Sequence, residues 1–588
     1  MSDLASALSV VAGQAFEKIG LEAKLGQVRR ADRPDLADFQ CNGAMAAAKA
    51  AKRNPREVAG EIAPLLEAHG EIESVDIAGP GFLNIKLTGD ALAQRATTVL
   101  NDPKAGGGQV DAPRRVMFDF GGWNVAKPMH IGHLRSTIIG DSLQRLFRFL
   151  GDDVTTDVHL GDWGLQMGLL ITEVQFEQPD LPYFDEDFSG PYPDKSPVTM
   201  EDLERLYPQA SAKSKEDEAR REAARHATAE LQDGRPGYIA LWKHFCDVTQ
   251  VGLERECKDL GVEFDLWKGE SDAEPLIPDM VATLKEKGVA ELDDGAWIIK
   301  VERDDDKKDM PPFMLVNSQG ASGYHATDLG TILDRVQSND PELILYVVDQ
   351  RQALHFEQVF RAARKCASIP AKAHLEHIGF GTVNGKDGKP LKTRDGGVVR
   401  LRSLIEDAIT EARKVVLEAG MDEKFGADEL EDIATKVGIA AIKFADLSNQ
   451  RMSNYVFDLE RFTKFEGKTG PYQMYAAVRI KSMLRKAKEQ GLEEGPLTLS
   501  ADAERNLLLA LSQLPEATLA AAEKNAPHIL CDHVYTLTQE FNSFYHDCHV
   551  LGEKDEAIRA SRLTLCAVTL RQIETVLDLL GIDVPERM

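Results

Sequence analysis

Apolar positions change period along the chain, and these changes divide it into three regions. Residues 1–105 open with helical spacing in "LASALSVVAGQAFEKIG" and close with the alternating strand pattern "GFLNIKL". Residues 112–400 alternate short apolar runs such as "RVMFDF" with helical segments such as "TIIGDSLQRLFRFL", which is the βαβ pattern of a parallel sheet. From residue 401 to residue 588 almost every apolar repeat is helical. We therefore predict an α+β N-terminal domain, an α/β domain and an all-helical C-terminal domain.

Two segments interrupt these patterns. The stretch "NDPKAGGGQVDAP", between the first and second regions, has the composition of a linker. Residues 176–236 are rich in Pro, Asp, Glu and Lys, and they predict a solvated insertion with one polar helix inside the α/β domain.

Composition restricts the partners and the compartment. The 588 residues carry a formal net charge of -27, which argues against a protein that is basic all over but allows a local basic face. The seven cysteines form no C-x-x-C pair, which disfavours a zinc knuckle or a disulfide framework and indicates a reducing, cytoplasmic compartment. The sequence has no signal peptide pattern and no run of about 18 apolar residues that would span a membrane. Since no coiled-coil seam stands out, we expect a monomer.

The stretch "NVAKPMHIGHLRSTIIGD" places His130 and His133 around Gly132 where a strand gives way to a helix. A bare H-x-x-H is more often structural, and a metal site would need two further ligands that are not nearby. Here, however, the glycine allows close approach of a ligand, and the helix N-terminus is expected to offer free N–H groups and a positive dipole. Lys127 adds a mobile cation. Together these groups suit nucleotide phosphates and a pentavalent phosphate transition state.

"HIGH" after a strand resembles the first signature of class I aminoacyl-tRNA synthetases, and the longer string resembles arginyl-tRNA synthetases in particular. "HLGDWGLQMG", "FDLWKGES", "YVVDQRQALHFEQVF", "FDLERFTKFEGKTGPYQMYAAVR" and "PERM" resemble that family in the same order, so the resemblance covers nearly the whole chain. It implies a cytoplasmic ligase that makes arginyl-adenylate from L-arginine and ATP with Mg²⁺, without a protein-bound metal, and transfers arginine to the 3′ end of tRNA(Arg). It also implies a Rossmann-like class I catalytic domain (112–400), an N-terminal domain (1–105) that reads the tRNA D-loop, and a helical anticodon-binding domain (401–588).

The resemblance assigns the ATP contacts. His130 and His133 are expected to contact the phosphates and to stabilise the α-phosphate in the transition state, with Gly132 beside them. His355 is expected near the adenine. Trp123 departs from the family, which usually has a small residue or proline directly before the asparagine of the motif; it either packs under the loop or narrows the site.

The arginine contacts follow from the same resemblance. Asn124 and Gln352 are expected to hold the α-amino end of the amino acid. Tyr324 and Asp328 have i,i+4 spacing, so on a helix they share one face and match the family's site for the guanidinium; the alternative is a helix start with a surface charge. Asp119, at the end of the first strand, is either an acidic wall of this pocket or a strand-end cap.

The second signature of the class, a loop that usually reads K-M-S-K-S, is altered here to "NGKDGKPLKTRDGG". Thr393 stands where the second lysine would be, a departure typical of arginyl enzymes, and Lys127 is the candidate to replace the missing cation. Lys386, Lys389 and Lys392 are the candidates for contact with pyrophosphate; the alternative is a lysine-rich surface turn.

Two surfaces are candidates for tRNA. Tyr475 and Arg479 have i,i+4 spacing on a basic helix and suit stacking on unpaired anticodon bases, and the resemblance adds Met588. Phe82 and Asn84 share one face of a strand, where the family reads a D-loop base. The alternatives are core positions for Tyr475 and for the strand. The basic residues near Tyr475 are Lys468, Lys481, Arg485, Lys486 and Lys488.

Two other functions are compatible with parts of this pattern. One is a class I synthetase for another amino acid, which the Tyr324 and Asp328 pair disfavours. The other is a tRNA-binding paralogue without catalysis, which the intact Lys127, His130 and His133 disfavour.

Overall fold

The structure, a computed structural model, describes residues 4–31, 33, 36–391, 399–421 and 423–588, and for Tyr324 only the backbone. The N-terminal region contains α1 (Leu4–Lys18), β1 (Val28–Arg30), β2 (Phe39–Cys41), α2 (Gly43–Ala51), α3 (Pro55–Glu67), β3 (Ile72–Ala78), β4 (Phe82–Leu87) and α4 (Gly89–Asn101). Its strands form an antiparallel sheet in the order β1-β2-β4-β3. This is the α+β arrangement that the sequence predicts.

The glycine-rich segment after α4 is packed rather than flexible. Residues 105–108 are buried, and the backbone N–H of Gly108 donates to Thr518 Oγ1 at 3.0 Å. A Cβ added at Gly107 would lie 2.4 Å from the ring of Phe149. The glycines therefore allow close approach of the backbone to its neighbours, and the predicted linker is a packed connection.

The middle region is built on a parallel sheet. Its elements are β5 (Arg115–Phe120), α5 (Ile131–Leu150), β6 (Asp153–Asp157), α6 (Leu165–Glu177), α7 (Met200–Glu216), α8 (Glu218–Gln232), α9 (Pro236–Asp259), α10 (Glu270–Ala273), α11 (Ile277–Glu286), β7 (Glu291–Asp293), β8 (Ala296–Ile299), β9 (Phe313–Val316), α12 (Tyr324–Asn339), β10 (Leu343–Val347), α13 (Ala353–Lys365), β11 (His374–His377) and β12 (Val383–Asn384). The parallel sheet has the order β11-β10-β5-β6, and β7, β8 and β9 form a separate antiparallel sheet. Every residue of β10 is buried, as expected for a strand with both faces covered. The predicted α/β fold is confirmed.

The predicted insertion holds two helices and contributes to a core of its own. Leu203 and Leu206 of α7 and Leu231 of α8 are buried in a cluster that also includes residues of α6 and α9. The prediction of one polar helix is therefore wrong. The apolar residues of α7 and α8 are few and lie among many charged residues, so the composition of the segment is that of a solvated loop. Those few apolar residues nevertheless pack in the cluster with α6 and α9.

The described residues of the C-terminal region form helices and one short strand. It contains α14 (Leu401–Glu418), α15 (Ala427–Leu447), β13 (Tyr455–Val456), α16 (Leu459–Phe462), α17 (Gly470–Glu489), α18 (Asp502–Leu511), α19 (Leu514–Glu523), α20 (His528–Asp547) and α21 (Glu556–Leu579). Strand β13 pairs in parallel with β12, so this region supports the start of the lysine-rich loop. Short 3₁₀ turns lie at Ala23–Gly26, Pro182–Phe184, Glu274–Leu276 and Gln350–Gln352. Among the helices of the described ranges, none is long and apolar enough to cross a membrane.

Candidate active site and tRNA-facing surfaces

The two motif histidines lie beyond the carboxyl end of β5: His130 is the N-cap residue of α5, and His133 is in its first turn. His130 Nδ1 accepts a hydrogen bond from the N–H of Gly132 at 3.0 Å, and His133 Nδ1 accepts one from the N–H of His130 at 3.3 Å. The rings stack with their centroids 3.7 Å apart. Because each Nδ1 is an acceptor, the proton of each neutral ring lies on Nε2. The pair thus offers two Nε2–H donors in a fixed arrangement.

Burial and a nearby ammonium keep both rings neutral. Burial lowers the pKa of His130, and the Lys127 ammonium lowers it further. Burial lowers the pKa of His133 to about 3, with smaller contributions from His130 and Lys127. At pH 7 both imidazoles are therefore hydrogen-bond donors without a charge. Placed donors of this kind stabilise charge that develops in a transition state.

The expectation of free N–H groups at the start of α5 is wrong for its first three residues. The N–H of Ile131 donates to Val399 O at 2.9 Å, that of Gly132 to the His130 ring, and that of His133 to His130 O at 2.8 Å. A Cβ at Gly132 would lie 2.8 Å from Cε1 of His130. The glycine is thus needed by the histidine ring, and phosphate contacts at this turn depend on side chains.

The loop between β5 and α5 holds Trp123 and Lys127. The indole of Trp123 is 1% exposed and packs against Phe264 and Trp267, with ring centroids 5.5 Å and 6.0 Å away. It therefore lies under the loop rather than narrowing the site. Lys127 is half-buried, and its Nζ lies 4.9 Å from the ring centroid of Tyr207 in α7.

The lysine-rich loop is described only in part. Lys386 is exposed, with its Nζ 3.6 Å from Asp458 Oδ1, and Lys389 is exposed at a turn. Lys392 and Thr393 lie outside the described residues, so their predicted roles stay predictions.

The predicted arginine contacts come from three segments. Asp328 lies on α12 one turn after Tyr324, whose side chain lies outside the described part of the chain. Oδ2 of Asp328 is 2.6 Å from Nε2 of His355 in α13. Gln352 is exposed just before α13, and Asn124 is half-buried in the loop after β5. The predicted guanidinium contact and the predicted adenine contact therefore touch each other, and the adenine contact of His355 stays a prediction.

Asp119 belongs to a buried ionic group. It lies in register with Asp157 on the neighbouring strand, and the Arg335 guanidinium joins both carboxylates, at 2.8 Å from Asp119 and 2.7 Å from Asp157. Since Arg335 is on α12, this group fixes the helix that carries Asp328. The carboxylate of Asp119 is paired with Arg335 of the protein itself. Neither of the two predicted roles, an acidic wall of the arginine pocket or a cap at the strand end, describes this ion pair.

Glu270, at the start of α10, is a residue that the sequence interpretation missed. Burial raises its pKa, and the carboxylates of Asp162 and Asp328 act in the same direction. The charge of His159 lowers the pKa of Glu270. A cation bound beside a buried carboxylate favours its charged form, so Glu270 is a candidate to face a substrate cation. The signal was present in "FDLWKGES", which was used only for its resemblance.

The residues predicted to read the anticodon lie together. Tyr475, Arg479 and Met588 line one cavity of about 700 Å³. The Arg479 guanidinium lies 4.8 Å from the ring centroid of Tyr475 and 5.3 Å from that of Tyr545, and it donates to Asn542 Oδ1 at 3.1 Å. Tyr475 and Tyr545 are 36% and 44% exposed, so neither ring is in the core. Tyr545 is a second ring that the sequence interpretation did not name.

The other tRNA candidates are less exposed. Phe82 is half-buried, and Asn84 is 8% exposed with its Oδ1 accepting from Gln40 Nε2 at 2.8 Å. Lys468 pairs with Asp532, and Lys481 pairs with the two carboxylates Glu574 and Glu586. Lys468 is exposed but paired, whereas Arg485, Lys486 and Lys488 are exposed and form no ion pair among the described residues, so the unpaired basic face is smaller than the sequence indicates.

Comparisons with known proteins agree with one family over the whole chain. A family model described as "tRNA synthetases class I (R), catalytic domain" matches residues 95–459, "DALR anticodon binding domain" matches 473–588, and "Arginyl tRNA synthetase N terminal domain" matches 2–87. The proteins named arginine--tRNA ligase from Hyphomonas neptunium and Maricaulis maris are 58% and 55% identical, with 100% of each chain covered. The arginyl-tRNA synthetase structure from Plasmodium falciparum has a TM-score of 0.79 at 25% identity, and that from Thermus thermophilus shares the fold with a TM-score of 0.78 at 24% identity; both comparisons cover 100% of each chain. The chain therefore belongs to the arginyl-tRNA synthetase family of class I aminoacyl-tRNA synthetases.

Proposed function

We propose that this chain is an arginine–tRNA ligase in which the described residues divide the work of two steps. In the first, a carboxylate oxygen of arginine attacks the α-phosphorus of ATP and pyrophosphate leaves, which gives arginyl-adenylate. In the second, the terminal ribose hydroxyl of tRNA(Arg) attacks the arginyl carbonyl and AMP leaves. The observation that carries the proposal is the pair of neutral Nε2–H donors beside the central strand, in a chain of this family.

In the first step the histidines stabilise the transition state. Nε2–H of His130 and His133 donate to the α-phosphate oxygens as negative charge accumulates there. The neutral rings need no deprotonation and do not act as nucleophiles. Lys127 supplies the positive charge that the altered loop signature lacks.

Arginine is recognised by charge at one end and by amides at the other. Asp328 accepts the guanidinium, with Tyr324 beside it and Glu270 as the second carboxylate. Because Oδ2 of Asp328 contacts Nε2 of His355, the guanidinium must displace or share that contact. Asn124 and Gln352 hold the α-amino end, and Asp119 acts through Arg335, which holds α12 in place.

Pyrophosphate leaves toward the lysine-rich loop. Lys386, Lys389 and Lys392 are its candidate partners, and Mg²⁺ enters bound to ATP as part of the substrate. Among the described residues, no three His, Cys, Asp or Glu side chains are grouped as metal ligands.

The tRNA contacts lie at both ends of the chain. Tyr475 and Arg479 stack on anticodon bases, Met588 closes the same cavity, and Phe82 with Asn84 contacts the D-loop. We further propose that the chain acts as a monomer in the cytoplasm.

Pyrophosphate exchange into ATP tests the proposal when it is measured with each of the twenty amino acids, with and without tRNA(Arg). Among the twenty amino acids, we expect exchange only with arginine. Without tRNA we expect weak or absent exchange, because Thr393 replaces a loop lysine. Exchange with another amino acid would assign a different specificity. No exchange with any amino acid, even with tRNA, would leave a binding protein without catalysis.

A further inference from the structure

The helices around the insertion hold the segment that precedes the motif histidines. Val125 and Ala126 are fully buried in the apolar core formed by α6, α7, α8 and α9. The N–H of Ala126 donates to Thr249 Oγ1 of α9 at 3.0 Å. Ala126 has a φ of 65°, a left-handed conformation that a residue with a side chain keeps only where its surroundings impose it. The backbone that leads into Lys127 is thus fixed by these helices.

The side chain of Lys127 is held by the insertion as well. Its Nζ lies 4.9 Å from the ring centroid of Tyr207, within the range of a cation–π contact, and both groups are half-buried. The ammonium is also close enough to lower the pKa of both His130 and His133. A ring attracts a cation without pairing its charge, so the ammonium keeps its positive charge available for phosphate.

Helix α7, which carries Tyr207, also contacts the chain on the other side of the histidine motif. Glu204, one turn before Tyr207, pairs with Arg400 at 2.9 Å. Arg400 lies three residues after the lysine-rich loop, and its chain neighbours Val399 and Leu401 are hydrogen-bonded to the backbone of Ile131 and Met129, both at 2.9 Å. Helix α7 therefore contacts both segments that meet at the histidines: the one that contains Lys127 and the one that contains Arg400.

We propose that Tyr207 is a positioning residue for adenylate formation, because its ring holds the Lys127 ammonium beside the two imidazoles until the phosphates of ATP take it over. The insertion thereby has a catalytic purpose, although it supplies no group to the substrate. This inference rests on the proposed ligase function.

A double-mutant cycle tests the inference. With tRNA present, Tyr207→Leu is expected to slow single-turnover formation of arginyl-adenylate about fivefold or more, and Tyr207→Phe is expected to restore most of the rate because it keeps the ring. The KM for arginine should stay close to wild type. In a Lys127→Met background, Tyr207→Leu should have no further effect. Tyr192→Leu is the matched control, since Tyr192 packs in the same insertion against Tyr183 and should leave the rate unchanged.

Three results would overturn the inference: a wild-type rate in Tyr207→Leu, a loss in Tyr207→Phe as large as in Tyr207→Leu, or an equal loss with and without Lys127. Should Tyr207→Leu not fold in a thermal melt, Tyr207→Met, whose unbranched and flexible side chain removes the ring but adapts to the space that the ring leaves, decides in its place. Failure of the proposed function is distinguishable, because wild-type enzyme would then form no arginyl-adenylate at all.

Discussion

Replacing Asp328 by Asn tests which group binds the substrate guanidinium. The substitution keeps the size of the side chain and removes its charge. In the wild type, Oδ2 of Asp328 contacts Nε2 of His355 at 2.6 Å, so the carboxylate is already oriented toward the space between α12 and α13. The amide keeps a hydrogen-bond acceptor there but cannot form the charge-assisted pair that a guanidinium requires.

The expected magnitude follows from the exposure of the carboxylate and from its acidic neighbour. Truncating one partner of a buried charge pair typically costs about 2–5 kcal/mol. The Asp328 side chain is 28% exposed, so water screens part of the interaction, and Glu270 remains as a second carboxylate. We therefore expect the lower part of that range, about 2–3 kcal/mol, which corresponds to a rise of about 30- to 160-fold in the KM for arginine. The KM for ATP should stay close to wild type.

Steady-state aminoacylation with arginine and with citrulline measures this effect. Citrulline has nearly the shape of arginine without its charge, so the wild type should reject it. Asp328→Asn should reduce aminoacylation with citrulline less than aminoacylation with arginine. Asp334→Asn is the matched control, because Asp334 lies on the same helix but pairs with Lys268 at 2.6 Å. An unchanged KM for arginine in Asp328→Asn would refute the assignment. Glu270 would then be the next candidate, since Asp119 is engaged by Arg335.

Three further predictions concern the histidines and the anticodon cavity. His130→Ala and His133→Ala should each raise the barrier to adenylate formation by about 2–4 kcal/mol in single-turnover assays while ATP binding changes little; wild-type activation in both would contradict the role in the transition state. The His133 ring should stay neutral from pH 8 to pH 5 in ¹⁵N NMR, because its pKa of about 3 lies below the ordinary value of about 6.5. As the pH falls from about 6.5 towards 3, the unfolded chain binds this proton before the folded chain does, so His133 lowers the free energy of unfolding in that range. A titration of His133 near pH 6.5 would disprove its burial. Tyr475→Ala should weaken tRNA binding by roughly 1–3 kcal/mol, and Arg479→Ala should reduce the salt dependence of the dissociation constant; tRNA affinities equal to wild type in correctly folded variants would remove both residues from the interface.

Features that depend on a short stretch of chain were predictable. The helix that begins after the "HIGH" motif and the helix that carries Tyr324 and Asp328 both lie where local spacing places them. Tyr475 and Arg479 share a helical face because they are four residues apart. Amphipathic periods and motif spacings are local properties, so they are legible without knowledge of the packing.

Features that depend on partners distant in the chain were not predictable. The register of β5 and β6 sets Asp119 beside Asp157, and a guanidinium from α12 joins them. Thr518 receives the N–H of Gly108 from 410 positions away, which makes a linker-like segment part of the core.

The sequence by itself determined the order of the three regions, the α/β class of the middle one, and the histidines and lysine that we propose as its phosphate site. Only the tertiary structure decided that both imidazoles are neutral Nε2–H donors, that the first N–H groups of α5 are already used, and that Lys127 rests on a ring of the insertion. The physical reason is that periodicity is set by the backbone geometry of neighbouring residues. Protonation, ion pairing and donor availability depend instead on desolvation and on which groups the fold brings within a few ångströms.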